Sequence, residues 1–189
     1  MSKTKNKFRA SFGVLDAWRR GDWQMAVEMY FKVCDFETPA MIEGKEYHKQ
    51  WEEEIQKNKR LPLVFGGEKL VDPKPEIKLF YNLNDWLDLV GIIDCYDQKT
   101  IHEFKTGVTT SQSYANGMQI GVYALLLKLH GYQVNQGVVH RYNQHMQKAD
   151  ASYVWITKDY MNKALDWVET YSSEMHNYLE ANDLYKKLN

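Results

Sequence analysis

The sequence is poor in the residues that staple or interrupt a small protein. Its 189 residues include only two cysteines, Cys34 and Cys95, and four prolines. Two thiols cannot form a zinc or iron–sulfur site by themselves and do not suggest a disulfide framework, so a reducing, cytoplasmic setting is expected. Long apolar runs are lacking too. The longest near a helix, residues 122–127, falls far short of the ~20 apolar residues that a membrane span needs. The opening Met-Ser-Lys-Thr-Lys-Asn-Lys is basic with no apolar stretch behind it. It reads as neither a secretory signal nor, being rich in Lys rather than Arg, an organellar transit peptide. An excess of one charge is also missing: 24 Lys and Arg face 25 Asp and Glu, a net of −1. Proteins that coat nucleic acid without specificity are usually strongly basic, so that class is excluded.

What is present is ordinary globular material. Hydrophobic residues make up 44% and charged residues 26%, which argues against disorder. The length supports one well-formed core, hence a single domain over 1–189. Charge is unevenly spread. Residues 1–20 hold six cations against Asp16 alone, a net of +5, so the remainder carries −6. This is either a basic, flexible tail over 1–10 or a local phosphate-binding patch.

The first third reads as helical. Ser11 is a candidate N-cap with Leu15 and Trp18 at helical spacing behind it. Gly21 breaks that segment. Asp22 then caps a helix with Met25, Ala26, Met29 and Tyr30 on one face. A third helix starts near Thr38-Pro39, with Pro in the first turn, and runs through Met41, Tyr47, His48 and Trp51. Beyond Gly66-Gly67 the period changes to two. Ile77, Leu79 and Tyr81 alternate with Lys78, Phe80 and Asn82, followed by Leu87, Leu89, Gly91 and Ile93, then residues 100–105. These are three short strands joined by tight turns. A helix over about 113–130 ends at Gly131. Strands near 134–142 and 152–156 follow, with His140, Arg141 and His145 at the turn between them. An amphipathic helix over 159–188 closes the chain, with Met161, Leu165, Trp167, Val168, Tyr171, Met175 and Tyr178 as its stripe. The six tryptophans read most simply as core aromatics. The element order predicts an α/β domain with a mixed sheet.

One segment carries chemistry: Leu89-Val90-Gly91-Ile92-Ile93-Asp94, then Glu103-Phe104-Lys105-Thr106-Gly107. In a strand Glu103 and Lys105 share a face. If Gln98-Lys99 is a two-residue turn, residue 97 pairs with 100, 95 with 102 and 94 with 103, and Asp94 sits opposite Glu103. Cross-strand Cβ atoms lie roughly 4.5–5.5 Å apart, where like charges repel unless a cation sits between them. Two carboxylates beside a lysine suit a hard divalent ion such as magnesium or manganese. The plain alternative is a salt-bridge cluster on a half-exposed sheet. Gln119 and Tyr123, four apart, project from one helix face, where an amide and a phenol suit phosphate, a metal ligand or a stacked base.

The string Leu89-x-Gly91-x-x-Asp94, then Glu103-x-Lys105, then Gln119-x-x-x-Tyr123, with Gly44-x-x-x-His48 upstream, resembles the PD-(D/E)xK nuclease superfamily and its RecB-like exonuclease branch, over roughly residues 11–160. The resemblance implies a restriction-endonuclease-like αβββαβ core with a mixed central sheet, extra N-terminal helices and a long C-terminal helix. It implies a metal-dependent deoxyribonuclease acting on single-stranded DNA or DNA ends, with Mg2+ or Mn2+ as cofactor. Asp94, Glu103 and Lys105 take the catalytic roles. His48, Asp94, Glu103 and the main-chain carbonyl of Phe104 take the metal, and Gln119 and Tyr123 support the site and the bound strand. Ile93 stands where the motif's proline would be. With two cysteines no iron–sulfur cluster is expected, and any unwinding falls to a helicase or other DNA-processing partner. Two other readings remain: a non-catalytic DNA-binding or scaffold module of the same fold, and a restriction-type or tRNA-splicing-type endonuclease.

Overall fold

A computed structural model describes residues 7–33 and 37–186. In chain order the elements are β1 (Phe8–Ser11), α1 (Phe12–Arg19), α2 (Trp23–Phe31), α3 (Pro39–Asn58), β2 (Lys74–Asn82), β3 (Leu87–Asp97), β4 (Thr100–Thr106), α4 (Ser111–Ala115), α5 (Gln119–Leu129), β5 (Gln136–Asn143), β6 (Lys148–Trp155) and α6 (Lys158–Ala181). Short 3-10 turns lie at Leu63–Phe65 and Leu184–Lys186. The expected α/β architecture is present, with N-terminal helices, a six-stranded mixed sheet and a long C-terminal helix. No helix among the described residues is long and apolar enough to cross a membrane.

Sheet topology positions everything that follows. β2 pairs antiparallel with β3 from Lys74↔Tyr96 to Asn82↔Asp88, and so occupies one edge of β3. The other edge is shared. β1 runs parallel to β3 over Leu87 to Val90, and β4 pairs antiparallel at Cys95 to Asp97. Between those ladders, Gly91 to Asp94 have no strand beside them on this edge, so the sheet forks there. β4 then continues parallel to β5, and β5 antiparallel to β6.

β1 was not expected as a strand. The sequence reading placed a basic, flexible tail over 1–10, but residues 8–11 form part of the sheet. Phe8 and Ala10 are fully buried, with Arg9 exposed between them. Dense lysines upstream disguised that period-two signal. Residues 1–6 lie outside the described residues, as do Cys34 and the last two residues of the expected 159–188 helix.

Two cores flank the sheet. On one side α5 lies against β3, buried from Ile120 to Leu127. A helix apolar all round belongs in an interior, and α6 covers its far side, with Ala164 and Tyr160 against Gly121. Gly91 lets α5 settle on β3: a Cβ there would stand 2.8 Å from Leu126 Cδ1 and 3.1 Å from Tyr123 Cε1. On the other side, Trp51 and Ile55 of α3 pack with Leu61, Leu70, Cys95 and Phe104.

Ser11 and Asp22 stand at the expected helix starts, but neither side chain makes a capping hydrogen bond, whereas Thr38 does. The Oγ1 of Thr38 accepts from the Met41 N–H at 3.1 Å, and Pro39 opens α3. Gly21 and Gly131 both adopt positive φ. On α2, however, only Ala26 is buried, and Met25 and Met29 stay exposed because this short helix lies at the rim. Trp23 and Trp155 are also exposed rather than core. His140 and Arg141 belong to β5 and not to a turn. His140 is buried, its Nε2 3.0 Å from His102 Nδ1 with the rings stacked. Arg141 makes a two-pronged pair with Asp150. Only His145 lies in the exposed turn.

Candidate active site

The β3–β4 hairpin has the expected register: Asp97 faces Thr100, Tyr96 faces Ile101 and Cys95 faces His102. Gln98 takes a left-handed conformation in the two-residue turn. The ladder stops one step before Asp94 and Glu103. There the Asp94 side chain enters the fork, and its Oδ2 accepts from the Phe104 N–H at 2.8 Å. Asp94 thus replaces the strand partner that β4 has lost. In an extended strand a residue's N–H and C=O leave on the same edge. The Phe104 carbonyl therefore faces the same fork.

Glu103 and Lys105 share a face, as their spacing requires. Lys105 Nζ donates to Glu103 Oε1 at 2.7 Å. Gln119 Nε2 donates to the same oxygen at 2.6 Å, and to the Tyr123 hydroxyl oxygen at 3.0 Å. Glu103 Oε1 is therefore doubly held. Glu103 Oε2 is buried with no hydrogen-bond partner. A bare carboxylate oxygen costs several kcal/mol in a dry interior and calls for a counter-charge.

The ionisation pattern states the same shortage. Burial, then the charge of Asp94, pushes the Glu103 carboxyl up to about 7 against the pull of Lys105. Burial draws Lys105 down, but the charge and hydrogen bond of Glu103 outweigh it and hold the ammonium above its ordinary value. Lys105 also lies 5.6 Å from the centre of the Tyr114 ring. Burial raises the Tyr123 phenol well above its usual range, so it keeps its proton.

His48 approaches from α3, its Nδ1 3.5 Å from Asp94 Oδ1. Burial lowers it, while hydrogen bonding and charge from Asp94 raise it, for a net upward displacement. Gly44, one turn earlier, lets α3 close on the end of β4: a Cβ there would stand 3.1 Å from Thr106 Oγ1. The fork thus brings together Asp94, Glu103, Lys105, Phe104, Gln119, Tyr123 and His48.

Among the described residues no three of His, Cys, Asp and Glu form a ready-made metal cluster. The donor set still fits a hard cation. It offers two carboxylates, one carrying an unpartnered buried oxygen, with an imidazole and a main-chain carbonyl beside them. In this arrangement the Lys105 ammonium supplies positive charge that holds Glu103.

Besides β1, sequence reasoning missed a second local feature. The expected continuous helix over 113–130 breaks at residues 116–118 into α4 and α5, so Gln119 becomes the first residue of α5. The Asn116-Gly117 pair was the available signal. Two open grooves meet at Ile92. One of ≈ 820 Å³ includes His48, Asp94 and Phe104. The other, of ≈ 680 Å³, includes Lys105, Gln119 and Tyr123.

No protein-family model and no curated protein sequence matches the chain. Solved structures do. An alkaline exonuclease from Laribacter hongkongensis superposes with a TM-score of 0.60 at 9% identity, over 96% of this chain and 95% of that one. The fold is shared with exonucleases. The same Laribacter enzyme in complex with dAMP matches at TM-score 0.54 and 9% identity, covering 95% and 94% of the two chains. A phage-related exonuclease from Haemophilus somnus 129PT matches at 0.53 and 10% identity, covering 86% and 82%.

Proposed function

We propose that this protein is a divalent-metal-dependent deoxyribonuclease of the PD-(D/E)xK type and its RecB-like branch, acting as an exonuclease on single-stranded DNA or DNA ends. One observation carries the reading. Glu103 is buried at a sheet fork beside Asp94, with one oxygen locked by Lys105 and Gln119 and the other left bare. Two carboxylates placed that way serve a cation better than they serve the fold.

Asp94, Glu103 Oε2, the Phe104 carbonyl and His48 would hold Mg2+ or Mn2+. Such an ion polarises a phosphate and lowers the pKa of a bound water. Lys105 is held above its ordinary pKa, so it acts as an ammonium that orients water and stabilises charge growing on the phosphate rather than as a free base. Gln119 fixes the rotamer of Glu103 through Oε1, and Tyr123 fixes Gln119 in turn. No iron–sulfur chemistry enters the reading, because two cysteines cannot supply the four thiolates such a cluster takes. A cytoplasmic setting and a helicase or similar unwinding partner belong to the same reading.

The test is purified protein on end-labelled DNA with Mg2+ or Mn2+. Wild type releases nucleotides, and Lys105→Ala loses about 10²–10³ in rate while still binding DNA. If both leave the DNA intact although both bind it, the catalytic reading fails and a binding module of the same fold remains.

A further inference from the structure

The groove beside Lys105 is lined by Arg9, Lys32, Lys78 and Lys105 and by no carboxylate, in a chain whose net charge is −1. These cations come from β1, the end of α2, β2 and β4, so only the fold gathers them. Lys32 is exposed and caps α2 in a left-handed conformation. Neither Arg9 nor Lys32 pairs with a carboxylate among the described residues. Lys78 is exposed and meets Glu76 at 3.3 Å. Four gathered cations, two of them without a counter-ion among the described residues, form a strongly positive strip that ends at the candidate active site.

Apolar side chains are interleaved with this strip. Lys78 lies directly opposite Ile92 in the β2–β3 ladder, and Phe80 follows two residues along on the same face. Ile92 is 48% and Phe80 49% exposed. The Arg9 guanidinium sits 5.8 Å from the centre of the Phe80 ring. Charge for phosphates beside exposed apolar surface for unpaired bases is the chemistry of a single-strand platform. Paired bases would offer those apolar groups nothing to stack on.

We propose that this groove is a binding track for single-stranded DNA, with Arg9, Lys32 and Lys78 taking backbone phosphates and Ile92 and Phe80 receiving bases, and that it feeds the strand to Lys105. The proposal deepens the nuclease reading and rests on it for the strand's destination, but its binding can be tested without cleavage.

The probe is a fluorescein-labelled oligo-dT of about 20 nucleotides, titrated in EDTA so that it stays whole, with anisotropy read over a range of salt. The combined variant Arg9→Gln/Lys32→Gln/Lys78→Gln changes exposed side chains outside the catalytic group. Losing three phosphate contacts reduces the steepness of the log–log salt dependence by about 2. At 0.1 M salt that corresponds to on the order of 100-fold weaker binding. A charge-matched control, Lys57→Gln/Lys128→Gln/Lys158→Gln, binds like wild type. Equal losses in the two variants, no binding by wild type, or a blunt duplex bound as tightly through the same residues would each overturn the track. Adding Mn2+ separates the two readings. DNA bound through the groove but never cut removes the nuclease and leaves the track. DNA cut equally well by the groove variant removes the track and leaves the nuclease.

Discussion

Replacing Glu103 by Gln separates the fold's interest from the site's. Glutamine mimics the protonated carboxyl in shape and keeps an oxygen for Lys105 and Gln119. In the metal-free protein the Glu103 carboxyl rises from 4.5 to about 7 because of burial and the charge of Asp94. The folded state therefore binds this proton more tightly than the unfolded chain does. Stability from this group is present below pH 4.5 and is lost as pH rises through 7. By pH 8 the ionised form costs about 3 kcal/mol relative to the neutral one. Glu103→Gln escapes that cost. In EDTA at pH 8 it is more stable than wild type by about 3 kcal/mol, which for a chain of this size raises Tm by roughly 6–12 °C. At pH 4.5 the two proteins melt together. Mn2+ reverses the order. At 100 times its dissociation constant it adds about 2.7 kcal/mol to wild type and little to the variant, whose nuclease activity is gone. Thermal melts at pH 4.5 and 8, each with EDTA and with Mn2+, give the full comparison. A variant less stable than wild type in EDTA at pH 8, or one that gains as much from Mn2+, would refute the reasoning.

Two further outcomes follow from the packing. Gly91→Ala places a Cβ 2.8 Å from Leu126 Cδ1 and 3.1 Å from the Tyr123 ring, so α5 must shift, at a cost of about 1–3 kcal/mol in urea denaturation and with lower nuclease activity as Tyr123 and Gln119 move; unchanged stability would show that α5 is free to yield. The buried His102–His140 pair is held mainly by burial at about 4 and about 3, so the unfolded chain takes up protons first as pH falls below 6.5. Stability is then full above 6.5 and drops by pH 4, by up to about 3 kcal/mol for each of the two histidines. The measurement belongs in the Glu103→Gln background, which removes the opposing titration, and a flat profile there between pH 6.5 and 4.5 would count against the pair's neutrality.

Much of this molecule is written locally. The cap at Thr38, the period-two runs of β2 to β4 and the stripe of α6 depend on neighbours a few residues away. The pairing of Glu103 with Lys105, and of Gln119 with Tyr123, follows from strand and helix periods alone. β1 was obscured because one four-residue strand stands against a background of lysines. The α4–α5 break was obscured because a single Asn-Gly step competes with a long helical pattern.

Three things belonged to the tertiary structure. Whether Asp94 meets Glu103 in a ladder or across a fork depends on β1 and β4 sharing one edge of β3, a choice between segments some eighty residues apart. Which Glu103 oxygen stays bare depends on Lys105 and Gln119 both reaching the other. The gathering of Arg9, Lys32 and Lys78 beside Lys105 has no trace in sequence order. Periodicity is a short-range property of a chain, and it determines which side chains share a face. Convergence of faces is set by burial of the whole core, and only the folded protein decides it.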